Sequence, residues 1–335
     1  MNFINTIKKN TIILFLITAI VLYIVLKDDW SSIVKAMSTI DIKYVLLAVI
    51  SLFISIALKG IVNYLIVNDK KKINVKEAIK HNLITQFFNG ITPFSTGGQP
   101  MEIYMLTEHN ISLSKATNYT VQSFIFYQIA LVICGIFAVT YNFIFKIFPE
   151  VNFLKYLVLL GFLINIGVVI VLLLVANSKK ATKKMCNFTI KVSKKLKLKI
   201  KEEEITEKFQ DLYEGFKELS KRKKLTFIGI GLNILSLIFL YIIPLFVLFS
   251  MHDYNSLNIA DTLTASAYIY VIGAFVPIPG ASGGIEYGFT QFFGNFIGAG
   301  TVSAVLLIWR FITYYFGVIL GALIFIFEKK VNKWE

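Results

Sequence analysis

Three charged residues lie where charge is costly. Arg310 sits inside the apolar run 304–327 and is one of only two arginines; the other, Arg222, belongs to a basic cluster. Arginine at membrane depth costs ~2.5–3.5 kcal/mol on insertion scales. It therefore needs an anion, and the choices are Glu286, Glu102 or a phosphate held by the guanidinium fork. Tyr314, four residues on, shares its helix face. Glu102 and Glu286 each follow a helix-breaking motif of one pattern, Pro-x-x-[Ser/Thr]-Gly-Gly. The motif reads Pro93-Phe94-Ser95-Thr96-Gly97-Gly98 in the first copy and Pro279-Gly280-Ala281-Ser282-Gly283-Gly284 in the second. A carboxylate buried in apolar surroundings can bind a cationic headgroup, exchange a proton or pair with a base.

The motifs carry their own chemistry. Gly97-Gly98 is expected to turn with positive φ and expose backbone N–H groups. A helix starting near Gln99-Pro100 then aims its positive end at the break, which suits a phosphate or other anion. Pro279, Gly280, Gly283 and Gly284 repeat these elements, with Pro277 as an additional breaker. The competing reading of the glycines is close helix packing; that of Glu102 is a solvated acid at the membrane interface; that of Arg310 and Glu286 is a purely structural pair. Lys59, about two turns from the end of an apolar run, reads as snorkelling to the interface. Gln122 and Gln128 either line a polar path or bond across helices.

The elements that position these residues follow from composition. The 335 residues are 56% hydrophobic and 16% charged, against about 25% charged in soluble domains. No alternating ten-residue segments suggest a barrel. The chain reads as an all-α integral membrane protein. Apolar runs at 11–28, 43–67, 117–145, 153–176, 225–250 and 300–327 make about six spanning helices. The interrupted runs 77–106 and 262–297 read as re-entrant helical hairpins, buried in protein because lipid cannot satisfy broken backbone. The pattern helix, helix, hairpin, helix then occurs twice, over about 11–145 and 153–327, in inverted-repeat arrangement within a single membrane domain. Cys134 and Cys186 have no neighbouring partner, and His81, His109 and His252 lack ligand spacing, so no disulfide, metal or cofactor is expected.

The net charge of +14 is almost all lysine. Its clustering at the ends of apolar runs indicates topology and excludes nucleic acid as the partner. Lys8-Lys9, Asp69-Lys70-Lys71-Lys72, the loop 177–224 with its fifteen lysines and Arg222, and Lys329, Lys330 and Lys333 all fall on one side. That side is the cytoplasm, with both termini there and the chain in a bacterial cell membrane. Within 177–224, Ile205, Phe209, Leu212, Phe216 and Leu219 have helical spacing. This amphipathic helix either lies on the anionic inner leaflet or belongs to a helical hairpin packed on the membrane domain. Gly-rich helices allow a homo-oligomer.

Thr92-Pro93…Gly97-Gly98-Gln99-Pro100, Pro277-Ile278-Pro279-Gly280-Ala281-Ser282-Gly283-Gly284-Ile285-Glu286 and Trp309-Arg310-Phe311-Ile312-Thr313-Tyr314-Tyr315 resemble the lysylphosphatidylglycerol synthase transmembrane family, the flippase-like domain of the bacterial multiple peptide resistance factor. The resemblance covers nearly the whole chain. Many members carry an acid directly after the first Gly-Gly, where this chain has Gln99. The resemblance implies a domain that moves or binds phospholipid, such as aminoacylated phosphatidylglycerol, between leaflets. The soluble aminoacyl-transfer domain of the full-length proteins is absent from this sequence. The expected function is therefore a phospholipid flippase or lipid-binding transporter without its own nucleotide-binding motif. The alternatives are a phosphatidylglycerol lysyltransferase-type enzyme and a membrane partner of a separate synthase.

Overall fold

The computed structural model describes residues 40–67, 72–148, 152–195, 202–274 and 276–331, together with 34 and 38. The expected span 11–28 lies outside the described residues. The described chain is all α-helical, and five helices are long and apolar enough to cross a membrane: Ile42–Ile66, Leu113–Phe145, Tyr156–Val175, Lys223–Ser250 and Ala299–Phe327. The protein is a multi-pass membrane protein. Side chains such as Phe143 and Phe227, 81% and 85% exposed, cover its flanks, as lipid-facing residues do.

Helix α1 (Ile42–Ile66) is followed by a hairpin of α2 (Val75–Gly90) and α3 (Gly98–Glu108), then α4 (Leu113–Phe145). Next come α5 (Asn152–Asn177), α6 (Lys179–Lys195) and α7 (Glu202–Lys221). The next span is α8 (Lys223–Tyr241) and α9 (Ile243–Ser250), bent where Pro244 lacks an N–H to continue the ladder. A hairpin of α10 (Ile259–Gly273) and α11 (Gly284–Phe293) follows. The last span is α12 (Ala299–Arg310), a widened π turn Phe311–Phe316, and α13 (Gly317–Val331). Both interrupted runs of the sequence are thus pairs of short helices, and each lies between longer spans.

Each hairpin starts the same way. The Asn74 side chain accepts from the Glu77 N–H while Glu77 reaches back to the Asn74 N–H. Asn258 likewise accepts from the Asp261 N–H. These caps satisfy N–H groups that a helix start leaves open. Between spans, short polar side chains join backbones: Ser55 and Ser236 Oγ are 2.9 Å apart, and Ser51 Oγ donates to the Phe239 carbonyl. Such bonds and small residues hold helices together where no hydrophobic effect separates protein from lipid.

The amphipathic segment is α7. It pairs with α6 and packs on α4 and α5. Phe216 is buried in a cluster with Val62, Ile66, Ile125 and Phe126, and Ile205 is buried too. Asn118 and Gln122 of α4 donate to the carbonyls of Asp211 and Gly215. The apolar face of α7 thus turns toward protein, as in the packed-hairpin reading, and Gln122 bonds across helices.

Hairpin 1 rests on the last span, where α2 and α13 approach closely at Gly321. A Cβ there would lie 2.3 Å from the Leu83 carbonyl oxygen. Gly321→Ala is expected to cost about 1–3 kcal/mol through overpacking. Thermal unfolding of the purified protein checks this, and an unchanged midpoint would contradict the contact.

Candidate functional site

The hairpin tips touch each other and share a backbone conformation. Thr92 and Ile278 are extended, Pro93 and Pro279 open a single 3-10 turn, and the next residues are left-handed: Phe94 at φ 53, ψ 18 and Gly280 at φ 64, ψ 12. Ser95 and Ala281 follow at φ 52 in both copies. The tips then diverge. Gly283 has φ 85, whereas Gly97 is right-handed at φ −79, so the positive φ expected at Gly97-Gly98 falls instead on Phe94 and Ser95. Gly97 and Gly98 are needed for space: a Cβ would lie 2.7 Å from Thr92 Cγ2 at Gly97 and 2.3 Å from Asn89 Oδ1 at Gly98. Likewise a Cβ on Gly284 would lie 2.5 Å from Val276 Cγ2.

Arg310 is held by the second hairpin. Its Nε donates to Glu286 Oε1 at 2.7 Å, and its Nη2 lies 2.6 Å from the same oxygen and 2.9 Å from the Gly280 carbonyl. Glu286 Oε2 accepts from the Gly283 N–H at 2.6 Å. Arg310 is 3% exposed and Glu286 0%. Of the candidate partners, Glu286 is the one engaged. Tyr314 completes the junction: its hydroxyl donates to the Gly90 carbonyl at 2.9 Å. Its ring lies against Gly280, where a Cβ would meet Cζ at 2.4 Å, and the Arg310 guanidinium sits 4.8 Å from the ring centroid. One side chain thereby links both tips to the π turn, a distortion often found at functional sites.

The N–H groups expected to face a phosphate are largely used within the tips. Gly97 N–H donates to Thr92 Oγ1, Gly98 N–H to Asn89 Oδ1, and Gly283 N–H to Glu286. Pro93, Gly97, Gly98, Pro279, Gly283, Gly284 and Glu286 shape the tips, while Gln99, Glu102, Gly280, Arg310 and Tyr314 line an adjoining cavity of ≈ 450 Å³. The cavity lies between both tips and helices α1, α2, α4, α8, α10 and the π turn.

Its other polar walls come largely from residues outside the expected site. Lys59 lines it, with its ammonium 4.4 Å from the Tyr127 ring centroid, a cation–π contact rather than a snorkelling side chain. Asn63, one turn on, donates to Glu102 Oε1 at 2.8 Å and accepts from the Ser123 hydroxyl. Glu102 is 8% exposed and faces the cavity rather than an interface. Gln128 also lines the cavity. The signal was periodicity: Ser55, Lys59 and Asn63 on α1, and Asn82, Gln86 and Asn89 on α2, each form a polar stripe on an apolar helix. Glu102 is also not the counterpart of Glu286. By motif position that counterpart is Pro100, and two residues on a helix turn a side chain ~200° away. Among the described residues no group of His, Cys, Asp and Glu is arranged to hold a metal ion.

Removing one member of the Arg310–Glu286 pair leaves a buried charge, so Arg310→Ala is expected to cost about 3–5 kcal/mol. The double change Arg310→Met with Glu286→Gln removes both charges and is expected to recover most of that loss. Thermal unfolding of single and double variants checks this; a double variant no more stable than Arg310→Ala would contradict the pairing.

A family model described as lysylphosphatidylglycerol synthase TM region matches residues 11–321. No curated protein and no solved structure is similar enough to match the chain.

Proposed function

From its membership of the lysylphosphatidylglycerol synthase transmembrane-region family, which ties it to lysylphosphatidylglycerol synthesis or flipping, we propose that this protein is a phospholipid flippase that moves anionic or aminoacylated phospholipid between leaflets. The observation that carries the reading is the cavity of ≈ 450 Å³ at the meeting of the hairpin tips. Its volume suits a headgroup rather than a whole lipid, so the acyl chains stay in the bilayer. Its polar wall holds a cation, Lys59, that no carboxylate neutralises among the described residues. An ammonium is matched to a phosphate as a point charge. Arg310, locked by Glu286, fixes the second tip and presents its remaining face to the same space. Tips formed from broken helices in corresponding places of two halves are how many secondary transporters build a site. Alternating access then follows from relative movement of the two hairpins.

In this reading the protein sits in the cytoplasmic membrane of a bacterium with both termini inside, an orientation supported by the lysine distribution through the positive-inside rule. The face of α6 bearing exposed Phe188 beside Lys184 and Lys191 meets the anionic inner leaflet.

Reconstitution in proteoliposomes tests the proposal. Fluorescent phosphatidylglycerol, lysyl-phosphatidylglycerol and a neutral glycolipid are followed by dithionite accessibility. Wild type is expected to move the two charged lipids and to leave the glycolipid behind. Lys59→Gln is expected to lose on the order of tenfold in rate, the loss of one charge-assisted contact. Absence of movement by folded wild-type protein would overturn the flippase reading. Lysyl-lipid formation in cells otherwise lacking it would favour the enzyme alternative.

A further inference from the structure

The charged residues lining the cavity are Lys59, Glu102 and Arg310. Arg310 is neutralised by Glu286. Glu102 and Lys59 belong to no ion pair among the described residues, and Lys59 rests on the Tyr127 ring. The cavity therefore holds two opposite charges that do not neutralise each other by contact. Glu102 is also oriented. The Ser123 hydroxyl donates to Asn63 Oδ1, which turns the Asn63 amide nitrogen to Glu102 Oε1. One carboxylate oxygen thus keeps its donor, and Oε2 is left for another partner.

Charge balance then separates classes of headgroup, given the reading of the cavity as a headgroup site. A net charge moved into a low-dielectric interior is strongly unfavourable. A singly anionic phosphodiester neutralises Lys59 and leaves Glu102 in surplus; the loaded site is neutral only when Glu102 carries a proton. A headgroup with both a phosphate and an ammonium is neutral with Glu102 ionised. We propose that Glu102 is an exchangeable subsite, filled by a proton from water when the headgroup is singly anionic and by the headgroup's own ammonium when it has one. The proton adds to Oε2 and returns to water when the lipid leaves, and no bond of the lipid is made or broken. Movement of a plain anionic lipid is then coupled to a proton, whereas movement of a lipid whose phosphate is matched by a single ammonium is not.

Other titratable groups on the surrounding elements are accounted for. Helix α1 brings Lys59 and Tyr64, and α4 brings Tyr119 and Tyr127. From α2 comes His81, whose ring centroid is 5.2 Å from that of His109 just past α3. Arg310 is already paired. Helix α10 brings Tyr270 and the π turn brings Tyr314; with Lys59, Tyr127 and Arg310 these share the cavity with Glu102.

Calorimetric titration of the detergent-purified full chain tests the proposal without requiring transport. Short-chain phosphatidylglycerol, short-chain phosphatidylethanolamine and glycerol 3-phosphate are titrated in two buffers of different ionisation enthalpy, which counts protons. Wild type is expected to take up about one proton per phosphatidylglycerol bound and none with phosphatidylethanolamine. Because protons are taken up, phosphatidylglycerol binding strengthens as pH falls, by at most about tenfold per pH unit. Glu102→Gln is expected to bind phosphatidylglycerol without proton uptake and to bind phosphatidylethanolamine on the order of tenfold more weakly. Glu102→Asp, which keeps a carboxylate, is expected to restore uptake and serves as the control for folding. Equal or tighter binding of glycerol 3-phosphate would assign the site to free phosphate esters in place of lipid. Lipid binding without proton uptake, uptake that persists in Glu102→Gln, or no lipid binding would overturn the proposal. Uptake found in a protein that moves no lipid would instead leave this subsite standing and remove the flippase reading.

Discussion

Burying a guanidinium among apolar helices is the constraint that organises the centre of this protein. Arg310 is almost wholly buried, so the fold must bring it an anion and further acceptors. The second hairpin supplies all of them within one short stretch: the Glu286 carboxylate, and the Gly280 carbonyl exposed by a left-handed backbone. The Gly283 N–H bonds the other carboxylate oxygen and so orients the acid. A helix break that would otherwise leave polar backbone unsatisfied in lipid is thereby converted into a clamp.

The clamp makes the two hairpins unequal. They share the Pro-initiated turn and its two left-handed residues, then part company at the glycine pair. Hairpin 2 is locked by charge. Hairpin 1 closes its tip with neutral bonds from Thr92 and Asn89, and its carboxylate, Glu102, points away from the tip to Asn63 on α1. A repeated sequence motif thus yields one tip held by charge and one held by neutral hydrogen bonds. Tyr314 spans the joint between them, with its hydroxyl on hairpin 1 and its ring on hairpin 2.

The same clamp gives the cavity its chemical character. With Arg310 and Glu286 cancelling each other, the electrostatics of the cavity are left to Lys59 and Glu102, which come from different helices of the first half. A cation on an aromatic ring and an acid on an amide are each tolerated without the other, so both remain available to a ligand.

Much of this was readable from the chain alone. Long apolar runs and their lysine-rich ends require a multi-pass helical protein, because lipid accepts only satisfied backbone and the charges must stay out of it. The paired Pro and Gly motifs require broken helices at two corresponding places, and an arginine in the last span requires a buried anion. The Asn74 and Asn258 caps and the polar stripes of α1 and α2 were equally present and are readable as local pattern. What one dimension does not contain is direction in space. That Arg310 meets Glu286 and not Glu102, and that Lys59 faces a cavity rather than an interface, follow from how separate helices pack, while the glycine N–H groups turn inward to Thr92, Asn89 and Glu286 within each folded tip. Those outcomes were decided by tertiary structure, because each depends on which side chains of separate helices the fold brings within a few ångströms of one another.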